Sequence, residues 1–124
     1  MKLTEKEFAD LVREALTEIP APFARCLEEI VVDVEPLPDA DALRQGGVDD
    51  PSELLGIYIG TPLTERSVDD SLQLPDRIVL YQRNIERECL TQREIVEEIR
   101  TTVLHEVGHH FGLDEDDLFD VGYD

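Results

Sequence analysis

The feature that most constrains the fold is a long amphipathic stretch in the second half of the chain. It opens at Thr91, with Glu94 three residues later, a pair typical of the capping box that begins a helix. Apolar residues then recur at helical spacing as far as Val107, and Gly112 is a residue suited to the left-handed end of a helix. We therefore predict one helix from residue 91 to about residue 111, whose apolar stripe the rest of the chain must cover.

This helix carries the run His105-Glu106-Val107-Gly108-His109. Two histidines four residues apart project from the same face of a helix, so both imidazoles can reach one Zn²⁺. Glu106 lies beside that face, where a carboxylate can take a proton from a metal-bound water. At about 100° per residue, the pair lies at the edge of the apolar stripe, where a cleft between core and solvent would form. The run predicts a zinc site with Glu106 as general base; the alternative is a helix whose histidines are only surface or core polar groups.

A zinc site for hydrolysis needs a third protein ligand and an open position. Glu115, ten residues after His105, occupies the third-ligand position of the extended pattern His-Glu-x-x-His-x-x-Gly-x-x-(His/Asp). Asp116 and Asp114 are the alternatives. The same acidic run is also typical of the start of a short helix, where negative charge is favoured by the helix dipole. Glu115 is therefore the predicted third metal ligand, with the two aspartates left open.

The first half of the chain predicts one further helix and a set of strands. Thr4 and Glu7 form another capping box, and Pro20 ends the helix that follows. Three later stretches have the apolar content and alternation typical of strands. They are residues 30–35, 55–60 and 77–81. The second of these has glycines on one face, which leaves its backbone open to close approach.

Turn-forming residues separate these elements. Residues 37–53 contain Pro, Asp and a Gly46-Gly47 pair and are predicted as a loop, as are residues 61–75. A short acidic helix is expected over residues 114–117. The element order α-β-β-β-α-α, in a chain of 124 residues, predicts a single domain over 1–124, because this length is enough for one domain and not two.

The charge and cysteine content exclude several functions. The chain has 30 acidic and 11 basic residues and a net charge of −19, which disfavours nucleic acid and anionic membranes as partners. No apolar stretch approaches the roughly 20 residues that span a membrane, and the N-terminus lacks the apolar run of a signal peptide. Cys26 and Cys89 are too few for a disulfide framework. We expect both to be reduced thiols in a cytoplasmic protein.

Three stretches of the sequence resemble the minimal zincin-like metallopeptidase family of bacteria, whose members are small single-domain proteins long labelled as a domain of unknown function. They are Leu54 to Arg66, Leu74 to Tyr81, and Arg100 to Leu118. The resemblance implies a compact α+β zincin-like fold, in which a small mixed sheet packs on the histidine helix.

The resemblance also implies roles for particular residues. His105 and His109 would be zinc ligands, Glu106 the catalytic base, and the acidic residue after Leu113-Asp114 the candidate third ligand. The sequence departs from the family in two places, because Gly108 stands where Ala is usual and Glu115 where Asp is common.

These observations predict a zinc-dependent peptidase that acts on a peptide or protein substrate, with Glu106 activating the attacking water. The substrate can add as an extended strand to a sheet edge, here residues 55–60. Tyr58, Tyr81 and Arg66 are candidate substrate or oxyanion contacts; the alternatives are packing for the tyrosines and a loop ion pair for Arg66. The alternative function is a catalytically weak or inactive metal-binding or protein-interaction module of the same fold. Metal-dependent RNA hydrolysis is disfavoured by the net charge.

Overall fold

The described part of the chain, residues 1–21, 23–60 and 76–110 of a computed structural model, has three strands and five α-helices. The helices are α1 (Glu5–Thr17), α2 (Phe23–Leu27), α3 (Ala40–Gly46), α4 (Gln82–Arg87) and α5 (Gln92–His110), with a 3-10 turn at Pro51–Glu53. The strands are β1 (Ile30–Glu35), β2 (Gly56–Ile59) and β3 (Asp76–Tyr81). The predicted strands and the two long predicted helices are therefore confirmed, with ends that differ by a few residues at most.

The strands form one mixed sheet in the order β1-β3-β2. The central strand β3 runs parallel to β1 and antiparallel to β2. The Tyr81 N–H donates to the Leu55 carbonyl at 2.9 Å, and antiparallel pairs alternate between bonded and non-bonded positions. The backbone groups of Gly56 and Tyr58 therefore point away from β3, toward the edge of β2 that no other described strand covers. The mixed sheet implied by the family resemblance is confirmed.

Two apolar clusters cover the two faces of this sheet. Side chains alternate along β3, so Ile78 and Leu80 lie on one face, while Val79 and Tyr81 lie on the other. The first face packs against α1 and α5 in the main core, and both strand residues there are fully buried. The second face packs against a smaller cluster that includes Ala42 of α3. The helix that carries the histidines thus forms one wall of the main core.

The two long helices begin as the sequence predicts. The Thr4 hydroxyl accepts from the Glu7 N–H at 3.1 Å, and the Glu7 carboxylate accepts from the Thr4 N–H at 2.9 Å. The same reciprocal pair joins Thr91 and Glu94 at 3.1 Å in both directions. These caps satisfy backbone donors that a helix start leaves without partners.

The end of α1 is also tied to the start of α5. The Glu18 carboxylate accepts hydrogen bonds from Arg93 at 2.8 Å and from Arg100 at 2.9 Å. These bonds lower the pKa of the Glu18 carboxyl, most strongly through Arg93.

None of the helices in the described ranges has the length and apolarity to cross a bilayer.

The predicted loop over residues 37–53 is wrong for part of its length, since α3 and the 3-10 turn lie within it. The Asp39 side chain accepts from the Ala42 N–H at 2.8 Å and begins α3. Gly47, with φ 66°, ends the helix in the left-handed conformation that favours glycine.

Three short helices were not predicted: α2, α3 and α4 have five, seven and six residues. Each is too short for an apolar repeat to stand out, which is why the expected order lacked them. The predicted loop at 61–75 and the predicted helix at 114–117 lie outside the described residues.

Candidate active site

His105 and His109 lie one turn apart near the end of α5. Their ring centroids are 6.0 Å apart and the ring planes meet at 34°. His105 is half-buried and His109 is exposed, while Val107 between them belongs to the main core. The pair therefore lies at the boundary between core and solvent, where the sequence places it, and two imidazoles so arranged can bind one metal ion.

Glu106 is held by the sheet. Its Oε1 accepts a hydrogen bond from the Tyr58 backbone N–H at 3.0 Å, which joins α5 to the edge of β2 that faces away from β3. Burial raises the pKa of the Glu106 carboxyl above its ordinary value, and this is only partly opposed by the Tyr58 N–H and by the imidazoles of His109 and His105. A carboxyl with a raised pKa accepts a proton more readily, which is the property that a general base needs near neutral pH.

The donor set fits zinc as far as the described residues go. Neutral imidazole is a common zinc ligand, and two of them share one helix face. Across residues 1–21, 23–60 and 76–110, no group of three or more His, Cys, Asp or Glu side chains is placed to hold a metal ion. The predicted third ligand Glu115, and its alternatives Asp116 and Asp114, lie outside those ranges.

Of the candidate substrate contacts, Tyr58 is the one that the structure brings to Glu106. Its backbone binds that carboxylate, and its hydroxyl donates to Asp76 Oδ2 at 2.7 Å. Tyr58 is half-buried and packs against the main core. The side chain is thus fixed at the first residue of β3, beside the helix that carries the histidines.

Tyr81 lies on the other face of the sheet. It is 1% exposed and belongs to the smaller apolar cluster. Burial, with the charges of Glu35 and Asp39, raises the pKa of Tyr81 to about 12. This position favours packing, the alternative that the sequence left open for this residue. Arg66 lies outside the described residues.

Gly56 brings β2 close to α5. A Cβ built on Gly56 would lie 2.8 Å from Thr102 Cγ2 and 3.1 Å from the Val79 carbonyl oxygen. Real Cβ atoms do not come within 3.0 Å of another heavy atom, so a larger residue here would require Thr102 or its helix to shift. The sequence marked this glycine face as open to close approach, and what approaches it is the histidine helix.

Two residues next to the site had no signal in the sequence analysis. Asp76 accepts from the Tyr58 hydroxyl, and Thr102 packs on Gly56. Thr102 is four residues before Glu106, so the two share a helix face, and this spacing could have indicated Thr102. Nothing in the sequence pairs Asp76 with Tyr58, because that contact depends on the strand register Tyr58↔Ile78.

Comparison with known proteins identifies the family of the chain. The sequence profile of the zincin-like metallopeptidase family matches residues 27–123. The chain belongs to this family, as the resemblance of its motifs predicted. Among solved structures, it is similar to a conserved hypothetical protein from Thermus thermophilus, with a TM-score of 0.55 and 27% identity over 87% of this chain and 94% of that chain. No curated protein matches it significantly.

Proposed function

We propose that this protein is a zinc-dependent peptidase in which Glu106 is the general base. The observation that carries the proposal is the position of Glu106, whose partly buried carboxylate is held beside the histidine pair by a backbone N–H of the sheet. A metal site with only a structural role has no need of such a carboxylate. Membership of the zincin-like metallopeptidase family supports the same class of reaction.

In this proposal His105, His109 and Glu115 hold the zinc ion. Bound zinc would polarise the scissile carbonyl and lower the pKa of a bound water. Glu106 takes the proton from the attacking water and gives it to the leaving amine. The Tyr58 N–H binds one oxygen of the carboxylate, which leaves the other oxygen to accept the proton.

The substrate in this proposal is a peptide or a protein segment in extended form. The edge of β2 that no other described strand covers offers backbone groups for an added strand, apart from the Tyr58 N–H, which binds Glu106. We retain Tyr58 and Arg66 as proposed substrate contacts, while the burial of Tyr81 weighs against that role for it. Nucleic acid and membrane are not proposed as partners, given the net charge of −19. The free thiols of Cys26 and Cys89 suit a reducing compartment, so we propose the cytoplasm.

The second candidate is a metal-binding or protein-interaction module of the same fold that turns over slowly or not at all. The sequence favours it at one position, because Glu115 stands at the third-ligand position where Asp is common in the family. In such a module, metal removal would lower the melting temperature with no activity to lose.

The metal content of the purified protein tests the site. We expect close to one zinc per chain by mass spectrometry, and loss of that zinc in His105→Ala. Absence of zinc from the wild type, even after addition at neutral pH, would count against both the site and the peptidase.

Hydrolysis tests the chemistry. Zinc-loaded wild type and Glu106→Gln are compared on a library of fluorescence-quenched peptides and on unfolded casein. We expect Glu106→Gln to keep its zinc and to lose turnover by about 10²- to 10⁴-fold, the usual contribution of a general base. Equal turnover by the two proteins would exclude Glu106 as the base. A zinc-loaded wild type that cleaves none of these probes would favour the non-catalytic module.

A further inference from the structure

The backbone N–H of Tyr58 has an unusual partner for a group on an outer strand. Gly56 and Tyr58 direct their backbone groups away from β3, and donors on that side of a strand ordinarily meet water or another strand. The Tyr58 N–H instead donates to Glu106 of α5 at 3.0 Å. The helix and the strand are therefore joined by a hydrogen bond to the side chain proposed as general base.

A second contact joins the same two elements one step earlier. Gly56 precedes Tyr58 by two residues, about 6.6 Å along a strand, and Thr102 precedes Glu106 by four residues, about 6 Å along a helix. The two steps are nearly equal in length. Gly56 therefore packs against Thr102 one step before the Tyr58 N–H binds Glu106. The distance between the two backbones is limited at Gly56, since a single added carbon would come within 2.8 Å of Thr102 Cγ2.

A third contact fixes Tyr58 itself. Its hydroxyl donates to Asp76 Oδ2 at 2.7 Å, at the start of the neighbouring strand. Tyr58 is thus held through its side chain by β3 while its backbone holds Glu106. The donor that orients the carboxylate is itself kept in place by the sheet.

We propose that β2 is a positioning element for Glu106: the close approach of Gly56 to Thr102 sets the separation at which the Tyr58 N–H holds the Glu106 carboxylate. Gly56, Thr102 and Tyr58 are positioning residues in this inference, and none of them needs to touch the substrate for it. The inference rests on the proposed function for the role of Glu106, but the contact itself can be measured without any substrate.

Hydrogen exchange of the Tyr58 amide, followed residue by residue by NMR in the zinc-loaded protein, tests the contact. We expect this amide to be protected in the wild type and to exchange at least about tenfold faster in Glu106→Ala, because its acceptor is gone. Circular dichroism confirms that the variant is folded. A Tyr58 amide that exchanges at the same rate with and without the Glu106 carboxylate would overturn the inference.

Substitution of Gly56 tests the spacing. Gly56→Ala should speed Tyr58 exchange, and adding Thr102→Ser should restore part of the protection, because it removes the methyl group in closest contact. Gly46→Ala is the matched control. Its added carbon would also lie 2.8 Å from a neighbour, Leu54 Cδ1, on the other side of the sheet. It should leave Tyr58 exchange unchanged. Equal acceleration by both glycine variants, or no recovery with Thr102→Ser, would show a general loss of stability instead.

Turnover separates this inference from the proposed function. With a peptide that the wild type cleaves, zinc-loaded Gly56→Ala should lose kcat on the order of 10²-fold at unchanged KM and zinc content, with partial recovery in the double variant. Full kcat in Gly56→Ala would overturn the positioning role and leave the peptidase intact. If the wild type cleaves no peptide but shows the expected Tyr58 exchange, the proposed peptidase function is wrong and the contact between Tyr58 and Glu106 is established.

Discussion

Two glutamates of this molecule, Glu86 of α4 and Glu106 of α5, are both withdrawn from water but have different surroundings. Glu86 is 4% exposed and accepts from the Leu3 N–H at 3.0 Å, from the Gln82 amide at 2.9 Å and from Arg83 at 2.7 Å. Among the described residues, Glu106 accepts from one donor, the Tyr58 N–H. Burial opposes the charge of both carboxylates, and at Glu86 three donors act against it.

The pKa values follow that difference. Burial would raise the pKa of Glu86, but its hydrogen bonds from Gln82, Leu3 and Arg83 outweigh that effect and hold the pKa below its ordinary value. For Glu106 burial prevails and the pKa is raised. A carboxylate surrounded by donors keeps its charge and joins elements of the fold. One with fewer donors is easier to protonate, and that is the condition under which a carboxyl can exchange protons during a reaction.

The largest effect on stability is expected when the carboxylate of Glu86, with its three hydrogen-bond donors, is removed. Glu86→Ala removes the acceptor of the Leu3 N–H and the carboxylate that Arg83 and Gln82 share with the Leu3 carbonyl. The free energy of unfolding should fall by about 3 kcal/mol. Urea unfolding at pH 7 measures this, and zinc content should not change. A loss below about 1 kcal/mol would mean that Glu86 does not join α4 to the N-terminal segment in the way its hydrogen bonds indicate.

Acid should remove the same stabilisation. The pKa of Glu86 is lower in the folded protein than its ordinary 4.5, so its charge stabilises the fold above that value. The contribution is lost as the pH falls through the folded pKa. The difference in unfolding free energy between wild type and Glu86→Gln should therefore be full at pH 7 and shrink below about pH 4.5. A difference that stayed constant down to pH 3 would contradict the lowered pKa.

The two tyrosines sharpen the comparison at the level of turnover. Tyr58→Phe removes the hydrogen bond to Asp76 and should lower kcat/KM by roughly tenfold, because the donor that holds Glu106 is less well fixed. Tyr81→Phe changes a buried side chain on the opposite face and should leave kcat/KM as it is. Both are measured on the same cleaved peptide. A larger loss of kcat/KM in Tyr81→Phe than in Tyr58→Phe would show that Tyr81, and not Tyr58, supports turnover.

The smallest effect is expected for the stability of the protein when the carboxylate of Glu106 is replaced. Because the pKa of Glu106 is raised in the folded protein, its ionised form at pH 7 opposes folding. Glu106→Gln in the metal-free protein should therefore leave the free energy of unfolding unchanged or raise it by up to about 1 kcal/mol. Thermal unfolding in the presence of a chelator provides the measurement. A drop of the size expected for Glu86→Ala would make Glu106 a structural group instead.

Much of the fold was accessible from the sequence because its longest elements repeat a pattern. Capping boxes at Thr4 and Thr91 predicted both long helices, and hydropathy predicted all three strands. The short helices escaped because a few residues cannot show a helical repeat. For α3 the end signals were present in Asp39 and Gly47, and they were outweighed by the Pro, Asp and Gly content around them.

The site divides in the same way. The histidine pair and Glu106 could be predicted, because i and i+4 on a helix share a face whatever the tertiary structure. The support for Glu106 could not, since the Tyr58 N–H reaches it only after β2 and α5 have packed, 48 residues apart in sequence. Contacts of that kind depend on strand register and interelement distance, and neither is encoded locally.

The ion pairs of Glu18 with Arg93 and Arg100 join positions 75 and 82 residues apart. Contacts of such long range form late, because most of the chain must be ordered before they can close. During synthesis, the part of α1 that packs against α5 therefore stays uncovered until α5 has left the ribosome, and this exposed stage is prone to aggregation. The helix that completes the core is also the helix that carries His105 and His109. If His105 and His109 bind zinc as proposed, metal uptake is accordingly expected to follow folding, as a last step of maturation, and not to nucleate it.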